Sequence, residues 1–137
     1  MSRIINPDSV GKERTRLTKA IVLAVRVLAQ QTGPGPESRD LAAFIALALA
    51  AVAETIDVSV AAWEKRGYWV KADRFRMDWD WAAQYADKMR RAVLADDWGE
   101  VALAAAQTAQ RLNKITVPPG HRLGMPWVGA WKVLREG

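Results

Sequence analysis

The sequence contains no cysteine. Disulfides, thiolate nucleophiles, zinc ribbons and cysteine-ligated iron–sulfur clusters are therefore excluded. It has a single histidine, His121, and no Glu-x-x-His pair. The dinuclear metal sites of ferritin-like bundles need two such pairs, and helical haem sites with paired imidazoles need a second histidine. A serine–histidine–carboxylate triad would have to recruit His121, and no strand–turn–helix elbow presents a serine. Phosphate-cradling loops are missing too. "GPGP" at 33–36 carries prolines where backbone donors are needed, and "GHRLG" at 120–124 matches no nucleotide fingerprint. No cofactor, no metal and no small-molecule substrate are expected, and an enzymatic role is not.

Long apolar runs are also short of what a membrane requires. The longest is "LAAFIALALAAVA", thirteen residues at 41–53, closed by Glu54 and Asp57. A spanning helix needs about twenty, so this run predicts a buried helix and no membrane partner. The stretch "AIVLAVRVLA" follows a basic region, as in a secretion signal, but Arg26 interrupts it and Glu13 sits among the cations. A cytoplasmic protein is expected.

A chain of 137 residues suits one domain with an adequate core. The net charge of +5 invites a nucleic-acid reading, but its distribution alternates. Residues 1–31 hold six Lys/Arg against two Asp/Glu; residues 32–66 hold three against five. Residues 67–95 hold six against four, residues 96–113 one against three, and residues 114–137 four against one. In an antiparallel bundle sequential neighbours touch, so part of the basic excess is neutralised internally.

Every long segment has helical period; only "KITV" at 114–117 looks β-like. Asn6 and Pro7 predict the start of a first helix, with Val10, Leu17, Ile21, Ala24 and Leu28 on one face. Lys12, Arg16, Lys19 and Arg26 form a basic stripe on the other side. That stripe is a solvated face or a contact for a phosphate backbone; docking on anionic lipid ranks third. Arg14 is out of place on the apolar side, and is expected to reach Glu54 or Asp57 or to snorkel at the bundle's end.

A second helix is expected from Ser38 to about Arg66, with Leu41, Ile45, Ala48, Val52, Thr55, Ser59 and Trp63 as its seam. The next seam is Ala72, Phe75, Trp79, Ala82, Ala86, Met89 and Val93, which is out of phase with the first. One helix cannot face the same core across that jump, so the chain must turn near Gly67. Asp97 and Glu100 open a fourth helix through a capping-box pattern, with Trp98, Val101, Ala105, Ala109 and Leu112 buried. A short last helix is predicted at "PWVGAWKVL", with Pro126 in its first turn.

The expected fold is all-α: an up-down-up-down four-helix bundle over residues 1–113, with a C-terminal tail, 114–137, carrying a short fifth helix. The stretch "RGYWVKADRFRMDWDW" at 66–81 then sorts by phase. Phe75 and Trp79 fall on the seam and are expected in the core. Met77, Trp81 and Tyr85 form a second stripe that something must cover, flanked by Arg74 and Lys88. The covering group is expected to be Trp127 and Trp131 of the tail, a second copy of the chain, or a single nucleic-acid strand. Met77, Trp81, Tyr85, Trp127, Trp131 and Leu134 are the candidate protein contacts. The sequence thus predicts a non-enzymatic helical interaction protein that self-associates or binds a protein partner. The alternative is a sequence-independent nucleic-acid accessory protein using the first helix.

Overall fold

A computed structural model describes residues 9–137 as five helices, with no strand among them. They are α1 (Val10–Ala29), α2 (Pro36–Lys65), α3 (Trp69–Leu94), α4 (Trp98–Arg111) and α5 (Ala130–Glu136). The helices α1 to α4 pack in ring order, each against its sequential neighbour and α4 back against α1, while α5 lies on α2. This is the expected bundle with its short fifth helix. The proposed cap at Asn6 and Pro7 lies outside the described residues.

Helix α2 is the axis of the molecule. Leu41, Ile45, Leu49 and Val52 have no exposed surface, each contributing about 1.5–3 kcal/mol by leaving water. The helix is long and apolar enough to cross a membrane by length and composition. Within this fold α1, α3 and α5 cover its apolar faces, which is why its first half needs no polar side. It starts two residues earlier than expected. Pro36 takes the first turn, where a missing N–H costs nothing, and Ser38 instead donates to the Gly33 carbonyl at 2.8 Å.

The break at Gly67 is a Schellman closure. The Tyr68 N–H reaches the Trp63 carbonyl at 2.9 Å and the Gly67 N–H reaches that of Glu64 at 3.0 Å. Gly67 has φ +80°, the left-handed region that costs an L side chain about 1–2 kcal/mol. A Cβ there would meet nothing within 4 Å. Gly67→Ala should therefore lose only the backbone term, about 1 kcal/mol in urea unfolding with an unchanged slope. The end of α3 closes the same way, with Asp96 at φ 57°. There the Asp97 N–H reaches the Ala92 carbonyl at 2.9 Å, while its carboxylate accepts the Glu100 N–H at 3.2 Å and starts α4.

Two expectations about faces change. On α4 the buried set is Val101, Ala104, Ala105 and Thr108, followed by Leu112; Ala109 is exposed and Trp98 half-buried. The face is rotated because α4 must serve both α3 and α1. In the tail, Pro126 and Trp127 precede the helix as a turn, because Gly129 is left-handed at φ 84° and α5 begins only at Ala130.

The tail folds back on its own chain. Trp127, Ala130 and Leu134 join the main core cluster. Asp40, in the second turn of α2, accepts the Gly129 N–H at 3.1 Å and the Trp131 N–H at 2.9 Å. One carboxylate thus caps a helix about ninety residues further along the chain. Asp40→Ala should lower stability by about 1–2 kcal/mol and make the tail the first site of limited proteolysis.

Candidate contact surface

Helix α3 has 26 residues and α4 has 14, lengths of about 39 Å and 21 Å. So α4 covers little more than half of α3. This difference divides the stripe Met77–Trp81–Tyr85. Trp81 is buried, 5% exposed. Its ring stacks on Trp79 at 5.6 Å, meets Tyr85 at 5.5 Å and lies beneath the Arg111 guanidinium at 5.9 Å, where α4 ends. Its Nε1–H donates to the Asp78 carbonyl at 3.1 Å. Tyr85 is half-buried with the Lys88 ammonium 5.6 Å from its ring. Met77, one turn beyond the end of α4, is 70% exposed.

The stripe is therefore covered in part by the end of α4, and the tail's tryptophans are committed elsewhere. Trp127 and Leu134 are buried against the bundle, and Trp131 is half-buried with Arg135 5.2 Å from its ring. Trp81, Trp127 and Leu134 thus offer no free surface. Of the six candidate contacts only Met77 is largely exposed. Phe75 and Trp79, expected in the core, are half-buried because α4 stops short of them. They pack with Trp63 in a smaller cluster around Ile56, Val60 and Ala72.

Arg14 occupies that same end of the bundle. It binds neither Glu54 nor Asp57, both of which are exposed. Its Nε donates to Thr55 Oγ1 at 3.1 Å, and one terminal nitrogen donates to the Thr55 carbonyl at 3.1 Å and to Ser59 Oγ at 2.7 Å. The guanidinium sits 4.9 Å from the Phe75 ring centroid. Burial lowers its pKa. Glu54 and Asp57 point outward, whereas Thr55 and Ser59 lie on the seam that faces α1.

The basic stripe of α1 is exposed but partly engaged. Arg16 pairs with Glu13 at 2.8 Å, and Arg26 donates to the Val117 carbonyl at 3.4 Å. Lys12 and Lys19 carry no ion pair among the described residues. His121 accepts the Leu123 N–H on Nδ1 at 3.1 Å, holding a turn in the tail. Among the described residues no three His, Asp or Glu side chains gather where a metal could bind.

The largest run of exposed apolar side chains is at the α2–α3 corner. Tyr68, Trp69 and Val70 are consecutive and 54, 60 and 74% exposed. Met77 follows two turns along α3, on the side of Val70. No family model, curated protein or solved structure matches this chain. Hydrophobic phase places a turn near Gly67 but says nothing of what the turn displays. The missed signal is composition: turns favour Gly, Pro, Asn, Asp and Ser, and this one reads Gly-Tyr-Trp-Val.

Proposed function

We propose that this chain is a non-enzymatic helical interaction protein whose contact surface is the α2–α3 corner. The observation that carries the reading is the outward display of Tyr68, Trp69 and Val70 at the tip of the α2–α3 hairpin, with Met77 exposed two turns along α3. Scattered single apolar residues on a surface need no explanation, but a contiguous group rimmed by charges marks a place where something else binds. Hot spots of this kind are enriched in Trp and Tyr, which bring much area with few rotatable bonds. Self-association through the second stripe has less to stand on, since Trp81 is used within the chain.

The test is comparative capture. Wild type and Trp69→Ser/Val70→Ser are each used as bait in extracts of the native cell, after circular dichroism shows equal helix content. At least one identified partner should be held by wild type and depleted tenfold or more by the variant. Identical sets of bound material would exclude the corner as the contact surface.

A further inference from the structure

We propose that the partner of the α2–α3 corner is an anionic bilayer surface, an inference that rests on reading the corner as a contact site. Charge decides the class of partner. Lys65, Arg66, Lys71 and Arg74 surround the exposed group Tyr68–Trp69–Val70, and all four are exposed. None pairs with a carboxylate among the described residues; Lys71 instead lies 4.5 Å from the Trp63 ring. The nearby acids Asp73 and Glu64 share one guanidinium, that of Arg76, at 2.8 Å and 3.1 Å, so they offset only one of the four rim charges. The corner therefore keeps a positive excess around an apolar centre.

A second copy fits this surface poorly. A two-fold contact would oppose four cations to four, like charge against like across the interface. A nucleic-acid strand shares the charge but needs a groove in which successive bases stack. Here the residues Gly67–Lys71 line only an open depression on a convex tip, and Val70 and Met77 have no ring. Tyr and Trp at a polar–apolar boundary, beside Lys and Arg, are what a headgroup layer accepts. The apolar centre enters the layer's edge while the cations remain at the level of the lipid phosphates and carboxylates.

Co-sedimentation of the full chain with phosphatidylcholine vesicles, with and without phosphatidylserine, tests this. Binding should require phosphatidylserine and fade as salt rises. Trp69→Ser/Val70→Ser should bind at least tenfold more weakly. Lys65→Glu/Arg66→Glu should lose about twenty-fivefold or more, at roughly fivefold per cation. Equal binding to neutral vesicles, binding by both variants as tight as that of wild type, or binding of a labelled single-stranded oligonucleotide in place of vesicles would each overturn the proposal. Absence of vesicle binding, together with loss of an identified protein partner from Trp69→Ser/Val70→Ser, would remove the lipid and leave the corner as a contact surface. Absence of vesicle binding together with retention of every partner by that variant would remove both.

Discussion

Trp81→Ala should lower the unfolding free energy by about 3–5 kcal/mol, the range for truncating a large buried aromatic. The indole is 5% exposed and touches rings on two sides, with Trp79 at 5.6 Å and Tyr85 at 5.5 Å. Its removal leaves a gap between α3 and the end of α4, and strands Arg111 without the ring beneath it. The loss should appear as a lower urea midpoint at nearly constant slope. Met77→Ala is the matched control, one turn away and 70% exposed; it should change stability by less than about 0.5 kcal/mol. The contrast between two residues of one sequence stripe tests the claim that α4 ends between them. If both substitutions are mild, Trp81 is not covered as described.

The phase jump at Gly67 made the fold legible. Two apolar series out of register demand two rods, and a left-handed glycine sits where they meet. Asp97 was equally readable as a helix start, because its side chain acts locally on a donor three residues away. What the sequence did not reveal was the set of neighbours each helix has. A seam of three- and four-residue steps describes burial against one partner. Helix α3 has two: Trp81 lies beneath Arg111 of α4 and Ala92 beside Ala104, while Ala72 packs with Ile56 and Val60 of α2. The buried arc is the union of both faces, so the stripe off the first seam needs a cover, and the seam does not say that α4 supplies it in part. In the tail the short last helix is local and readable, but its place is not. Its position depends on Asp40 meeting two backbone donors about ninety residues away, a long-range match that no local period records. The exposed corner fell between these cases, since its composition was anomalous for a turn and needed no coordinates to be noticed.

Arg14 tests whether a cation set into an apolar face holds the bundle's open end by its charge or by its stem. Arg14→Ala should cost about 2–3 kcal/mol, because it removes the packed methylenes and the contact on Phe75 and leaves a gap at the bundle's end. Arg14→Met keeps the stem. The Thr55 carbonyl, released by the guanidinium, lies four residues before Ser59 on the same helix, where a serine hydroxyl can turn to donate to it. Thr55 Oγ1 already donates to the Val52 carbonyl at 2.6 Å and is not orphaned. The desolvation of the charge also disappears. Arg14→Met should therefore cost about 1 kcal/mol or less, following the pattern in which charged groups in packed interiors give way to apolar side chains of like shape. The pH response separates this from an ion-pair account. Burial lowers the pKa of Arg14 below its ordinary value, so the folded chain binds this proton less tightly than the unfolded one. That penalty is constant wherever both forms are protonated, and stability recovers only as pH rises through the strongly alkaline window between the folded and unfolded values. From about pH 3 to about pH 9, a window that includes the carboxylate range, the difference between wild type and Arg14→Met should thus be flat. Had Arg14 been held by Glu54 or Asp57, that difference would instead shrink as pH fell through the carboxylate range, because the partner's depressed pKa would surrender its contribution there.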